Sequence, residues 1–298
     1  MIKKYCLVGL GKHSFNQVIP AILNTGNELI CTVSRNNFFK EVKNYTSLTD
    51  ALLSVDESTI FYLATPYTLH HIQAKEIACN GHSLFIEKPA FISLNDLNNF
   101  YSKIYNDNFF VECFMYKYSK MYNEFFKIWM LKKNDIDKID INFTIPSFPK
   151  KSFRDNLNLK HVLLHDIGCY AISLIVELDI LNLKFSVNDK KIDNILLIKA
   201  SNKFISINIK IGIGLEYKNN VILKLKDEKY LFDFFFNGRK IIKKIYYNEN
   251  ELLSFEDNSC FESMLLKSKS YWIDSQKIRL DNMIKVCNIN KNLYSHLI

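Results

Sequence analysis

The chain has 298 residues, of which 48% are apolar, and a formal net charge of +8. This length is sufficient for two domains of ordinary size. No apolar stretch reaches the ~18 residues that a membrane span needs, and the N-terminus lacks a signal-peptide pattern. We therefore expect a cytoplasmic protein without a membrane partner.

The spacing of the cysteines and the distribution of charge limit the kinds of ligand and partner that we expect. The seven cysteines show no CxxC spacing, which indicates buried thiols in a reducing compartment and no metal site. Residues 1–100 contain as many basic as acidic side chains, so the positive excess falls after residue 100. That excess fits either a solvated lysine-rich surface or an anionic substrate. No basic run is interleaved with aromatic residues, so we expect no nucleic acid partner.

Strand-like and helix-like segments alternate over about the first 115 residues. This order predicts an α/β fold, with a parallel sheet and crossover helices in an N-terminal Rossmann domain over residues 1–117. Ligands bind beyond the carboxyl ends of such strands, so polar residues there are candidates for the site. The predicted strands are Tyr5–Leu10, Leu29–Val33, Thr59–Ala64, Ser83–Ile86 and Phe109–Cys113, and the helices are Ser14–Leu23, Leu48–Leu53, Leu69–Cys79 and Leu94–Tyr105.

The pattern of residues in the second half of the chain predicts a C-terminal α+β domain over residues 118–298. Its sheet is expected to be large, open and mostly antiparallel. Apolar and polar residues alternate between Ile195 and Tyr247, which is typical of a sheet with one buried face. Phe232, Phe234 and Phe236 predict a second, apolar face, and hence a homodimer or homotetramer through the sheet. The other predicted elements are a helix at Met121–Leu131, a strand at Ile136–Ile145, an apolar helix at His161–Val176, and closing helices at Phe261–Ile273 and Gln276–Asn290. The final helix could pack back on the first domain.

The first βα turn predicts dinucleotide binding. It reads Gly9-Leu10-Gly11-Lys12-His13-Ser14, a GxGxxG pattern with serine at the third position. Two glycines suffice for a tight turn and for close approach of the backbone to a pyrophosphate at the helix N-terminus. An ordinary βα turn is the alternative.

The end of the second strand favours NADP over NAD. An NAD site usually has Asp or Glu there, to bind the ribose 2′-hydroxyl. This chain has Ser34-Arg35 instead. A guanidinium offers paired donors to a 2′-phosphate and a plane for stacking on adenine.

Two further groups are candidates for chemistry. Lys88 follows a predicted strand, and Pro89 directly after it fixes the loop and opens the possibility of a cis bond. Asp166 and Tyr170 are four apart on an apolar helix, with Gly168 between them, and buried polar groups of this kind need partners, of which a ligand is one. His161 and His165 have a spacing compatible with metal binding, but no third ligand accompanies them, so structural histidines are the better interpretation.

An ordered set of motifs over residues 5–176 resembles the Gfo/Idh/MocA oxidoreductases, which are named for glucose-fructose oxidoreductase and inositol dehydrogenase. The motifs after the glycine turn are Ala64-Thr65-Pro66 with His70, Gly81-His82 before Glu87-Lys88-Pro89, Glu112-Cys113-Phe114-Met115-Tyr116, and Asp166-Ile167-Gly168-Cys169-Tyr170. The stretch from Gly214 to Asn219 extends the likeness. Among relatives with tyrosine at the last position, the chain is most similar to NADPH-dependent nucleotide-sugar 3-ketoreductases, and next to dihydrodiol dehydrogenases.

The resemblance implies an enzyme in which Lys88 lies beside the substrate and the nicotinamide. The cofactor-binding residues it implies, together with the motifs above, are Gly9, Gly11, Lys12, His13, Ser14, Ser34, Arg35, Thr65, Pro66, His70, Glu87 and Lys88. Two departures bear on the pocket. Lys160-His161-Val162 stands where family members usually have glycines, and Tyr67 stands where asparagine is frequent. These bulkier residues could reshape or close the substrate pocket.

The leading hypothesis is reduction of a keto group on a sugar or nucleotide-sugar by hydride from NADPH. In it Tyr170 donates the proton, Lys88 supplies the cation, and Asp166 holds a substrate hydroxyl. Three alternatives stay open: a dehydrogenase of a free sugar, inositol or trans-diol; an imine reductase; and a non-catalytic NADP-binding regulator.

Overall fold

The computed structural model describes residues 2–104, 108–148, 153–188 and 194–297, apart from the side chains at 156, 188 and 268–276. The fold divides into two units. The first comprises Met1–Met115 and Phe261–Leu280, and the second comprises Tyr116–Cys260 and Asp281–Ile298. Each unit is built around its own sheet.

The first unit contains a six-stranded, fully parallel sheet in the order β3-β2-β1-β4-β5-β6. The strands are β1 (Lys4–Val8), β2 (Glu28–Val33), β3 (Lys43–Tyr45), β4 (Ile60–Leu63), β5 (Leu84–Glu87) and β6 (Phe110–Cys113). A π-helical turn (Ser14–Val18) leads into α1 (Ile19–Asn24), followed by α2 (Leu48–Leu52), α3 (His70–Cys79) and α4 (Leu94–Tyr101). The central strands are almost wholly buried, as expected for a parallel sheet covered on both faces.

The boundaries of these elements have local causes. Strand β1 ends at Val8, before the predicted Leu10, because Gly9 turns the chain with a φ of +96°. Ser47 and Ser93 begin α2 and α4 by accepting a backbone N–H with their hydroxyl groups. Strand β3 was not predicted, since its three partly exposed residues carry no apolar pattern. Residue 105, the predicted end of α4, lies outside the described residues.

The second unit contains an eight-stranded mixed sheet in the order β14-β13-β12-β11-β7-β10-β9-β8. Only β7 and β10 pair in parallel among these described strands, so the predicted, mostly antiparallel sheet is confirmed. The strands are β7 (Ile136–Ile145), β8 (Lys184–Asn188), β9 (Ile195–Ser201), β10 (Ser206–Ile213), β11 (Lys218–Leu225), β12 (Lys229–Asp233), β13 (Ile242–Tyr247) and β14 (Asn250–Glu256). The helices are α5 (Lys120–Lys132), α6 (Leu159–Glu177) and α7 (Cys260–Ser295), and α7 extends across both units.

Helix α6 is the core helix of the second unit. It contains a π-helical segment, Val162–Gly168, and packs on β10. At Gly168 a side chain would come within 3.0 Å of the Leu163 carbonyl and 3.9 Å of Ile211, so glycine permits this close approach. The sequence analysis expected no apolar stretch long enough to span a membrane, but α6 is long and apolar enough to do so. However, 83% of its most apolar stretch is buried inside the fold. Burial of this extent is typical of a core helix.

The structure corrects two predictions in the second half. The two closing helices are one continuous helix, α7, since no glycine or proline interrupts residues 260–295. Strand β12 ends at Asp233, and Phe234 adopts a left-handed conformation with a φ of +54°. The turn places Phe235 beside Phe236 in the core, where Phe232 is also buried. The apolar outer face predicted from these phenylalanines is absent at these positions, and the predicted oligomer loses that support.

The cysteines all lie within the described part of the chain, and none of the seven forms a disulfide bond there. Six are buried, and Cys79 is exposed. The six buried cysteines are thus packed as thiols within the core rather than joined as disulfides.

Candidate functional site

The glycine turn lies where three strands of the first sheet end together. Gly9 donates its N–H to the Val33 carbonyl at 2.9 Å, and a side chain there would come within 2.8 Å of the backbone of Ala64 and Thr65. At Gly11 a side chain would meet nothing within 4 Å. The first glycine therefore permits the packing of β1 against β4, whereas the second leaves open space beside the helix N-terminus.

Ser14, at the third position of the motif, is fully buried. Its hydroxyl donates to the Gly9 carbonyl at 2.6 Å and so braces the turn from within. Lys12 is exposed on the same turn. Serine thus fills the space that glycine usually leaves, and adds a hydrogen bond that glycine could not make.

The end of β2 lies beside the glycine turn. The Ser34 hydroxyl accepts the backbone N–H of Asn37 at 3.3 Å. The side-chain amide of Asn37 donates to the Leu10 carbonyl at 2.5 Å. Arg35 is exposed in this loop. The structure thus holds Ser34 and Arg35 at the sheet edge that carries the turn.

The loop after β4 is held by hydrogen bonds to side chains of α3. Thr65 donates its hydroxyl to Gln73 at 2.6 Å, and the carbonyl of Thr65 lies 2.9 Å from Nε2 of His70. His70 is 1% exposed, and its Nδ1 lies 2.9 Å from the Pro89 carbonyl. Pro66 precedes a short 3₁₀ turn, Tyr67–Leu69, in which Tyr67 is buried. His70 therefore contacts the backbone of two loops at the site edge.

The loop after β5 carries the candidate lysine. The Lys88–Pro89 peptide bond is cis, as the sequence suggested. The next residue, Ala90, donates its N–H to the Glu112 carboxylate at 2.9 Å, so the loop is held on both sides of the proline. Lys88 itself is half-buried. A fixed loop of this kind restricts where the ammonium group can go.

Glu87, immediately before this lysine, joins three elements of the site. Its Oε1 lies 2.8 Å from Nε2 of His13 in the glycine turn and accepts the Tyr62 hydroxyl at 2.7 Å. Burial raises the pKa of Glu87, but His13, Tyr62 and Lys88 together outweigh burial and hold the pKa below its usual value. The His13 ring also packs on Phe261 with a centroid distance of 5.3 Å. Glu87 is therefore a half-buried carboxylate that ties the turn to β4 and β5.

In the second unit, Asp166 forms an ion pair that the sequence analysis missed. Its carboxylate, 5% exposed, accepts Nε of Arg154. The guanidinium lies 4.4 Å from the ring centroids of both Phe148 and Phe153. The available sequence signal was a basic residue directly after Phe153, upstream of the helix, but nothing in the spacing linked it to Asp166. The pair supplies the partner that a buried carboxylate requires.

Tyr170 lies in an aromatic cluster and is 8% exposed. Its ring centroid is 5.3 Å from that of Phe143, 5.7 Å from that of Phe236, and 6.0 Å from that of Tyr116. Asn219, from the last motif, accepts the Phe236 N–H at 2.7 Å and so fixes this side of the cluster. The candidate proton donor is thus set in rigid aromatic surroundings.

The bulky residues at the start of α6 contact the last turn of α7 and the residues that follow it. Lys160 donates to the Leu297 carbonyl at 2.9 Å, and His161 packs edge-on against Tyr294 with a centroid distance of 5.6 Å. His165 is 4.4 Å from His161 between ring centroids, and its Nδ1 has no partner in the described structure. Burial lowers the pKa of His165 to about 3. Among the described residues no group of three or more His, Cys, Asp or Glu side chains is arranged to hold a metal.

The structure thus groups the predicted residues by unit. The glycine turn, Ser34, Arg35, Thr65, Pro66, His70, Glu87 and Lys88 belong to the first unit, at the carboxyl edge of its sheet. Asp166 and Tyr170 belong to the second unit. Their roles in binding and catalysis stay predictions.

Comparison with known proteins gives the fold a broader context. No protein-family model matches the chain, and no curated protein matches it. Solved structures match 99% of its length. KijD10, a 3-ketoreductase from Actinomadura kijaniata crystallised with NADP and TDP-benzene, is 13% identical, with a TM-score of 0.83 over 98% of that chain.

Two other solved structures show the same similarity. An aldose-aldose oxidoreductase from Caulobacter crescentus is 13% identical, with a TM-score of 0.79 over 97% of its own chain. GnnA, a UDP-N-acetylglucosamine 3-dehydrogenase from Acidithiobacillus ferrooxidans, is 10% identical, with a TM-score of 0.72 over 98% of its chain. At these identities the likeness concerns the fold, and it confirms the predicted combination of a Rossmann unit with an α+β unit.

Proposed function

We propose that this chain is an NAD(P)-dependent oxidoreductase that reduces a keto group of a sugar or nucleotide-sugar. The observation that carries the proposal is the carboxyl edge of the first sheet, where Ser34-Arg35 follows β2, the glycine turn follows β1, and Lys88 follows β5 of the same parallel sheet. In open parallel sheets this edge is the ligand site.

The residues of this edge fit a dinucleotide. Open space at Gly11 leaves room for a pyrophosphate beside the helix N-terminus, where backbone N–H groups are available. Gly9, Gly11, Lys12, His13 and Ser14 would form the phosphate side of the site. The remaining contacts would come from Thr65, Pro66, Glu87 and Lys88, and His70, predicted as a further binding residue, would support their loops through the Thr65 and Pro89 carbonyls. When bound, the nicotinamide would supply or accept the hydride.

We propose NADP rather than NAD as the preferred cofactor. The loop after β2 offers a hydroxyl and an exposed guanidinium, and both suit a 2′-phosphate. KijD10, which shares the fold, was crystallised with NADP. An NAD site usually has an Asp or Glu at the end of the second strand, which binds the free 2′-hydroxyl. This chain has Ser34 and Arg35 there instead.

We assign the proton transfer to Tyr170 and the fixed positive charge to Lys88. A carbonyl gains negative charge on oxygen as hydride arrives, so a proton donor and a cation both lower the barrier. Asp166, neutralised on one side by Arg154, would accept a sugar hydroxyl. The pairing of Lys88 with Tyr170 rests on the sequence resemblance. KijD10 variants substituted at one lysine and at one tyrosine have been crystallised, and those two positions have nearly the same chain separation as Lys88 and Tyr170.

The test combines binding with turnover. Titration with NADPH and NADH should show tighter binding of NADPH, and a panel of keto-sugar nucleotides should then identify a substrate. Lys88→Ala and Tyr170→Phe should lower kcat by about 10²–10⁴-fold with little change in NADPH affinity. Lys75→Ala, on an exposed face of α3, serves as one control. Tyr5→Phe, which removes a buried hydroxyl that has no hydrogen-bond partner among the described residues, serves as the other. Wild-type turnover in both site variants would refute the assignment.

Oxidation of a sugar hydroxyl is the second candidate. Nicotinamide reactions are reversible, and GnnA, which shares the fold, is a 3-dehydrogenase. Reduction of NADP⁺ by sugars, inositols or trans-diols, faster than the reverse reaction, would favour it. Binding of NADPH without turnover of any carbonyl would instead favour the non-catalytic regulator. The cytoplasmic location and the homo-oligomer stay predictions, which fractionation and light scattering would test.

A further inference from the structure

The His70 imidazole lies between the two loops that follow β4 and β5. Its Nε2 is 2.9 Å from the Thr65 carbonyl, and its Nδ1 is 2.9 Å from the Pro89 carbonyl. The side chain is 1% exposed, so water cannot substitute for either carbonyl. Both loops carry residues of the proposed site, and Pro89 directly follows Lys88.

We infer that His70 is a positioning residue, whose Nδ1–H holds the Pro89 carbonyl and thereby sets the place of Lys88. The inference rests on the proposed function for the role of that lysine. His70 itself transfers no proton to substrate. Its effect reaches the reaction through the backbone, since the carbonyl it holds is one residue from the lysine.

The chemistry of the ring makes the inference specific. Burial lowers the pKa of His70, against the opposing effects of the two carbonyls and of Glu87. A neutral imidazole has one N–H, so it donates to only one of the two carbonyls at a time. The tautomer protonated on Nδ1 holds the lysine loop, and the tautomer protonated on Nε2 holds the Thr65 loop.

His82 provides a matched control in the same sheet. It is also a buried histidine, 5% exposed, and its Nδ1 lies 3.1 Å from a backbone carbonyl, that of Thr59. Thr59 and His82 precede β4 and β5, whereas Thr65 and Pro89 follow them. The two histidines therefore brace opposite ends of the same pair of strands, and only His70 lies at the site edge.

Two conservative variants distinguish the tautomers. The amide nitrogen of asparagine can stand in for Nδ1, and that of glutamine for Nε2. We expect His70→Ala to lower kcat by about 10–100-fold, because misplacement of a catalytic group is costly. His70→Asn should recover most of that loss, and His70→Gln little of it. His82→Ala should match His70→Ala in loss of Tm but retain near-wild-type kcat.

A second measurement needs no substrate. Lys88 is modified with trinitrobenzenesulfonate, and the rate is read by peptide mass spectrometry. His70→Ala should speed this modification at least threefold, and His82→Ala should not. If His70→Ala alters the reactivity of Lys88 but the protein reduces no carbonyl, the proposed function is refuted and the positioning role of His70 is still supported. Unchanged reactivity and unchanged kcat in His70→Ala, or rescue by glutamine instead of asparagine, would overturn the inference.

Discussion

Replacing each of the first two glycines of the turn by alanine separates folding from cofactor binding. At Gly9 the new methyl group would lie 2.8 Å from the backbone of Ala64 and Thr65, at a φ of +96°. Backbone strain of this kind costs about 1–3 kcal/mol, and overpacking costs a similar amount. We therefore expect Gly9→Ala to lower the free energy of unfolding by about 2–6 kcal/mol.

Gly11→Ala should behave in the opposite way. Its methyl group meets no protein atom within 4 Å, and the residue has no left-handed φ, so stability should change by less than about 1 kcal/mol. The same methyl group would occupy the space proposed for the pyrophosphate. Loss of one charge-assisted hydrogen bond, about 1.5–3 kcal/mol, corresponds to about a 10–150-fold weaker Kd for NADPH.

Urea denaturation and NADPH fluorescence titration measure the two quantities independently. The gain in Tm on adding NADPH should shrink in Gly11→Ala, because bound ligand stabilises the folded state in proportion to RT ln(1 + [L]/Kd). Wild-type affinity in Gly11→Ala would show that no phosphate lies over this turn. Wild-type stability in Gly9→Ala would contradict the close approach of β1 and β4.

Three further expectations concern cofactor choice and stability. Arg35→Ala should weaken NADPH binding by about 10–150-fold and leave NADH binding unchanged, and equal losses for both cofactors in titrations would refute the 2′-phosphate role. Lys243→Met should lower the free energy of unfolding, measured by urea denaturation, by about 3–5 kcal/mol. The reason is that Lys243 and Asp257 form a 3.0 Å ion pair whose side chains are 0% and 3% exposed. Lys244→Met, which removes a lysine from an exposed ion pair, is the control. Since burial lowers the pKa of His165 from 6.5 to about 3, the unfolded chain binds a proton in this window and the folded chain does not. Stability should fall as pH drops from about 6.5 to 3, by at most about 1.4 kcal/mol per pH unit, and His165→Leu should show a shallower dependence.

Much of the first unit is predictable from sequence because its information is local. Short apolar strands, helical spacing and the glycine turn depend on neighbouring residues, and they predicted five of the six strands at nearly their observed positions. The three-residue β3 lacks such a pattern, since it is a partly exposed edge strand. In the second unit, alternation failed at Phe234, where a left-handed residue shifts the side-chain period by turning the chain.

The sequence by itself determined the class of fold, the position of the glycine turn, the Ser34-Arg35 loop and the lysine before Pro89. Those features depend on residues within one turn or one strand end. The tertiary structure alone decided that Arg154 neutralises Asp166, that Glu87 joins His13 to Tyr62, and that His70 lies between two loops. Partners of this kind are distant in the chain, and only the packing of strands and helices brings their polar groups within hydrogen-bonding distance.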